Sequence, residues 1–323
     1  MLVDAAAQQD GRVDYVASQS VAGTIRVAGS PQMGELLRLY EQGFAAVQPK
    51  VRFEQELNST VTAVDAVSAR RADVALLGRE IWPTELQAFE SARGHVPTVI
   101  DIATGSYDVH KATFALMIFV PKVNPLRSLT LGQLERVFGA GQGDVTTWGE
   151  LGLRGVWANR AIHLYGFSVN NDKSQIFSQL VFEHGERWNL VMKGFSNGAG
   201  PDGEDAGERI VRAVAEDQDA IGISNVHYAV PGVKALSLSA GAGAQPVAAT
   251  RTSVADRSYP LTRAVYLVVD EDAAQPETQA VREFVRYVLS RQGAMAVQQE
   301  GNYLPLPAAV ARRQLERMDA WPR

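Results

Sequence analysis

Apolar residues in this chain alternate between two rhythms, strand-like runs and helically spaced positions, and the alternation predicts an α/β architecture with largely parallel sheets. Residues 24–28 form a short β-run that Gly29, Ser30 and Pro31 break; Met33, Leu36, Leu37, Tyr40, Phe44 and Val47 then repeat at helical spacing. A second unit passes from Val51 and Phe53 through Asn58, Ser59 and Thr60 into Val61, Val64 and Val67. A third runs from 73–77 through Gly78, Arg79 and Glu80 into a helix over 84–89. Thr130 and Gln133 have capping-box spacing for a helix over 131–138. Residues 162–182 carry the most informative pattern: a β-run opens through a polar loop into an amphipathic helix. Unpaired N–H groups and the helix dipole at such a junction suit an anion, although an ordinary capped connection has the same pattern.

Breaks in the pattern suggest domain limits. The polar stretch 103–111 reads as a first interdomain passage and 224–228 as the return, giving one lobe of 23–108 plus 229–310 and a second of 109–228. Residues 1–22 read as a flexible lead and 311–323 as a tail. The Gly/Ala-rich stretch 239–249 reads as an exposed, mobile loop. A strand over 264–269 and a helix over 276–289 complete the first lobe. Two linkers at one edge imply a hinge and a cleft that closes on a ligand.

Composition narrows the function. A chain of 323 residues accommodates two compact domains. The longest apolar run, 114–120, is strand-sized, so no transmembrane segment is expected. A net charge of −5 without a basic block argues against nucleic acid. With no cysteine there is no disulfide, thiol nucleophile or Cys-type zinc site. His95, His110, His163, His184 and His227 are scattered without ligand spacing, and neither a nucleophile elbow nor a P-loop occurs. An enzyme, a metal and a cofactor are therefore not expected. The polar, Ala/Gln-rich beginning reads as the start of a mature exported chain whose signal has been removed, with cytosolic residence as the alternative.

Several segments in order, TLGQLERVFGAGQGDVTTWGELGL, SNGAGPDGEDAGERIVRAVAEDQDAIGISNVHYA and SYPLTRAVYLVV, resemble the phosphate-type solute-binding proteins of ABC transporters. The resemblance spans roughly 23–307. It implies a type II periplasmic-binding-protein fold: two lobes, each with a mixed, mostly parallel sheet. It also implies a small anion or polar solute as ligand, an ABC permease as partner, a periplasmic or extracellular location and a monomer. GSPQMGELLRLYEQGF resembles the family's first anion loop, with Ser30 in place and Gln32 where a Thr is usual. Asn58, Ser59 and Thr60 match the second loop, and Arg79 stands where Arg or Asp is common. The family's Arg and Ser-Gly-Thr loop is altered: Phe167 replaces the Arg, and Asn171, Asp172 and Lys173, followed by Ser174, occupy the helix start.

Losing charge-assisted bonds at about 1.5–3 kcal/mol each implies weakened phosphate affinity. Lys173 offers partial compensation, whereas Asp172 repels a dianion and favours a protonated anion, a zwitterion or a neutral polar ligand. Asp172 also reads as a helix cap with Lys173 in solvent, and Asn170 and Asn171 as tolerating a left-handed turn. The competing function is an envelope or secreted interaction protein that kept the receptor fold and lost phosphate binding.

Overall fold

The computed structural model describes residues 11–110, 112–141, 143–182, 187–198, 204–271 and 278–319. They divide into two compact units. One draws on 1–106, 111–113 and 263–323, the other on 107–110 and 114–262.

Along the chain, the first unit opens with β1 (Gly23–Gly29), α1 (Gly34–Val47), β2 (Val51–Glu56), α2 (Thr60–Ser68), β3 (Val74–Leu77), α3 (Pro83–Arg93) and β4 (Thr98–Thr104). The second unit follows with β5 (Met117–Pro121), β6 (Ser128–Thr130), α4 (Leu131–Phe138), β7 (Gly139–Ala140), β8 (His163–Phe167) and α5 (Asp172–Val181). It continues through β9 (Arg187–Trp188), β10 (Lys193–Phe195), α6 (Ala206–Glu216), β11 (Ala220–Ser224), β12 (Val233–Ala235), β13 (Ser237–Ser239) and α7 (Arg251–Ala255). The chain then completes the first unit with β14 (Ala264–Val269), α8 (Thr278–Val288), α9 (Arg291–Glu300), β15 (Leu304–Pro305) and α10 (Ala308–Asp319).

Each unit has its own sheet, ordered β15-β4-β14-β3-β1-β2 in the first and β10-β8-β11-β5-β12 in the second. Both are mixed. β1 runs parallel to β2 and β3, and β8 parallel to β10 and β11, whereas β14, β15, β5 and β12 pair antiparallel. Parallel pairing is thus a smaller share than the alternation predicts. It holds where a helix crosses back to the neighbouring strand, and β5 and β14 enter their sheets without such a crossover. The apolar face of α1, with Leu36, Leu37, Tyr40 and Phe44, is buried in the first unit's core, where Phe44 and Phe284 rings meet edge-on at 5.4 Å.

Three expectations are corrected. The return passage lies between Thr262 and Arg263 rather than at 224–228. β12 pairs with β5 and β13 with β6, while Leu236, Leu238, Val254, Tyr259 and Leu261 are buried, so 229–262 belongs to the second unit. The described part of the lead, 11–22, is anchored. Arg12 donates to the Leu306 carbonyl at 2.6 Å, Tyr15 O–H to Glu283 at 2.7 Å, and Ser18 O–H to the same carboxylate. Glu283 is buried and requires such donors. The tail forms α10, which buries Ala311 and Met318. Residues 1–10, Lys111, the helix start expected at 276, His184 and 320–323 lie outside the described residues.

Candidate functional site

In the first unit, the registers Ala28↔Glu56 and Gly29↔Leu76 bring the loops after β1, β2 and β3 to one carboxyl edge. Open parallel sheets bind ligands at that edge. Ser30 is buried and caps the 3-10 turn Pro31–Met33; its Oγ accepts from Gln32 N–H at 3.4 Å and its O–H is given to Gln32 Oε1. Gln32 is exposed. Ser59 caps α2, accepting from Val61 N–H at 3.1 Å, and Thr60 is the helix's first residue. Asn58 is exposed and donates to Glu56 at 3.3 Å.

Arg79 behaves differently from a ligand-facing charge. It is buried, and its fork donates to Glu85 at 2.8 and 2.6 Å and to the Glu80 carbonyl at 2.8 Å. The guanidinium carbon lies 4.0 Å from the Trp82 ring centroid. Arg263, also buried, donates to the Glu80 carboxylate at 2.9 Å. The expected anion contact is thus an internal ion pair, because a carboxylate six residues on satisfies the planar fork.

In the second unit, the loops after β8, β10 and β11 share a carboxyl edge through the registers Phe195↔Phe167 and Gly222↔Tyr165. Ser168 and Ser196 hydroxyls meet there at 2.6 Å. Asn171, not Asp172, caps α5, with Oδ1 accepting from Lys173 N–H at 2.9 Å and an ordinary extended φ of −77°. The turn needs no left-handed residue. Lys173 does not point to solvent. Its Nζ lies 3.3 Å from Asp172 Oδ1 and above the Phe114 and Phe167 rings, 5.4 and 5.5 Å from their centroids. Ser174 is turned inward: it is buried and donates to the Phe167 carbonyl at 2.9 Å, where an unsatisfied hydroxyl would be costly.

Sequence reading missed the groups around Lys173. Asp205 caps α6, accepting from Gly207 N–H at 2.8 Å, and lies 3.4 Å from His110 Nε2. Burial opposes its ionisation, but Gly207 N–H, Tyr228, His110 and the Lys173 charge outweigh that and lower its pKa. The His110 and His227 rings stack at 5.1 Å, and His227 Nδ1 donates to the Asp108 carbonyl at 3.1 Å. Only the polar starts of α6 and of the turn Val226–Tyr228 hinted at this cluster in the sequence. Among the described residues no group of His, Cys, Asp and Glu is arranged to hold a metal ion, and no helix is long and apolar enough to cross a membrane.

The profile of the PBP superfamily domain matches residues 16–292. The chain is 28% identical over 310 residues, 94% of its length and 90% of the relative's, to the phosphate-binding protein PstS of Pseudomonas aeruginosa. Two solved structures share the fold: PstS from Borrelia burgdorferi and an ABC-type phosphate transport receptor from Vibrio cholerae. The first has a TM-score of 0.57 and 14% identity, covering 88% of this chain and 98% of that one. The second has a TM-score of 0.56 and 17% identity, covering 88% and 100%.

Proposed function

Since the chain belongs to the periplasmic-binding-protein superfamily, we propose that it is an extracytoplasmic receptor that captures a small oxyanion of the phosphate type and delivers it to an ABC permease. The observation that carries this reading is the likeness to a phosphate-binding relative along 94% of the chain. Solute capture rather than catalysis is the activity.

In this reading the candidate ligand groups within the first unit are Ser30, Gln32, Asn58, Ser59 and Thr60 with the backbone amides at its 3-10 turn and at α2, and within the second unit Asn171, Lys173 and the start of α5. Phosphate affinity is weaker than in relatives with an Arg fork, because Lys173 is a single point charge already facing Asp172. The chain acts as a monomer. Calorimetric titration of ligand-stripped protein with phosphate, sulfate and a neutral sugar tests this. Binding of phosphate, displaced by no sugar, is the expected result.

One observation favours the second reading, an interaction protein that kept the fold: the Arg79 charge is paired with the buried Glu85 and the Lys173 charge with the partly exposed Asp172, both carboxylates of the chain itself. That reading gains if none of the three solutes binds.

A further inference from the structure

The carboxyl ends of β8 and β10 carry a group that the loop before α5 does not supply, a guanidinium with most of its donors uncommitted. Arg209 stands near the start of α6, four residues after the Asp205 cap, and Asn197, just beyond β10, accepts from Ala206 N–H at 2.9 Å, which ties that helix start to the strand end. The Arg209 guanidinium carbon lies 4.9 Å from the Phe195 ring centroid, so the fork rests against a buried ring. Its Nη1 donates to the Ser196 carbonyl at 3.4 Å, a long and weak bond. The carboxylates of α6 leave the fork unfilled. Arg212 takes Glu204 at 2.7 Å and Glu208 at 2.8 Å, while Asp205 accepts from Gly207 N–H at 2.8 Å and lies 3.4 Å from His110 Nε2. Among the described residues no carboxylate lies within ion-pair distance of Arg209.

We propose that Arg209, together with the Ser168 and Ser196 hydroxyls, is an oxyanion contact of the second unit: the planar fork takes two oxygens of a phosphate- or sulfate-type anion, and a hydroxyl takes a third. This rests on the reading of the chain as an oxyanion receptor whose second unit binds at the carboxyl edge of β8 and β10.

The contacts run without a break from α6 to α5. Arg209 meets the Ser196 carbonyl, the Ser196 and Ser168 hydroxyls lie 2.6 Å apart, and the Ser168 carbonyl accepts from Asn171 N–H at 2.7 Å, at the cap of α5. Each hydroxyl has one proton to donate. The bond between the two serines uses one of them, so the other is left for an acceptor from outside. An anionic acceptor suits the fork better than the carbonyl it now holds, because charge-assisted bonds are shorter and about twice as strong as neutral ones. The amides at the start of α6 are not the ligand groups, since Asn197 and Asp205 already accept from Ala206 and Gly207 N–H. Lys173 is a point charge facing Asp172, whereas the guanidinium is planar and presents parallel donors. Arg209 is therefore the group that distinguishes a tetrahedral oxyanion from a neutral polar solute.

The test is calorimetric titration of the full chain and its variants with phosphate and with sulfate. Arg209→Ala is expected to weaken whichever oxyanion binds by roughly tenfold or more. Arg209→Lys keeps the charge but not the fork, and is expected to recover only part of that loss. Ser168→Ala with Ser196→Ala is expected to weaken binding by a smaller factor. Arg212→Ala removes the same charge from the same helix, where Glu204 and Glu208 hold it, and is expected to bind as the unmodified chain does. Urea unfolding without ligand checks that each variant is folded, and Arg209→Gln replaces Arg209→Ala if the latter is not. Full affinity in Arg209→Ala or Arg209→Gln, full recovery in Arg209→Lys, or an equal loss in Arg212→Ala overturns the proposal while leaving the receptor reading intact. No binding of phosphate or sulfate by the unmodified chain overturns both.

Discussion

Arg79 and Glu85 form a two-point ion pair, at 2.8 and 2.6 Å, in which both side chains are almost fully withdrawn from water. Glu85 also accepts from Trp82 N–H at 2.8 Å, so the same carboxylate fixes the loop after β3 and the first turn of α3. The cation that sequence resemblance assigns to ligand binding therefore holds its own loop in shape.

Removing one partner of a buried pair leaves the other charged and unpaired. Arg79→Ala is expected to destabilise the chain by about 3–5 kcal/mol, and Arg79→Ala with Glu85→Ala by clearly less than the sum of the single changes. Urea unfolding of the two single variants and the double variant measures the coupling. Additive losses would contradict the pairing.

The strand–loop–helix units and the Thr130–Gln133 capping box were legible because each depends on residues within a few positions of one another. The Arg79–Glu85 pair was not, since helix spacing alone does not reveal that Glu85 at the start of α3 turns back toward the strand end. The return at Thr262 was hidden because β12 and β13 are short strands whose partners, β5 and β6, lie about a hundred residues earlier. The loops of the candidate site were legible, but the charged groups around Lys173 were not. Asp205, His110 and His227 meet Lys173's surroundings only through tertiary folding.

Asn171 offers its side chain to Lys173 N–H, so its contribution is a helix cap. Asn171→Ala is expected to cost about 1 kcal/mol of stability, and Asn171→Ser only a few tenths. Thermal unfolding without ligand checks this. Equal losses for both variants would show that the side chain does something other than cap.

Asp217 ties β8 to the segment after α6: His163 Nδ1 lies 2.7 Å away, Tyr165 O–H donates at 2.8 Å and Asp219 N–H at 2.9 Å. Burial works against its ionisation, but the Asp219, His163 and Tyr165 contacts prevail and lower its pKa. A carboxyl group lowered on folding stabilises the fold above the ordinary aspartate value of about 3.9, and that stability is lost as the pH falls through the lowered value. Asp217→Asn is therefore expected to lose about 1–2 kcal/mol at neutral pH, with the gap to the unmodified chain closing in strong acid. Urea midpoints measured across the acid range test the sign. A gap that widens in acid would contradict it.

Asp172 and Lys173 make opposite predictions for an anion. Lys173→Ala removes the ammonium that sits over Phe114 and Phe167 beside Asp172, and is expected to weaken phosphate binding at least tenfold, an effect of about 1.4 kcal/mol or more. Asp172→Gly removes the carboxylate nearest that ammonium and is expected to strengthen phosphate binding. It also loses an acidic residue from the first turn of α5, where it favours the helix by about 0.3–1 kcal/mol. Stability and affinity should therefore move in opposite directions in this variant, which separates electrostatics at the site from a general loosening of the fold. Lys173→Arg offers a fork in place of a point charge but must fit against the same two rings. Tighter binding than by the unmodified chain would support the proposal that a missing guanidinium fork weakens phosphate affinity. Tight phosphate binding by the unmodified chain, unchanged in Lys173→Ala, would remove Lys173 from the site and leave capture to Ser30, Ser59, Thr60 and the backbone amides.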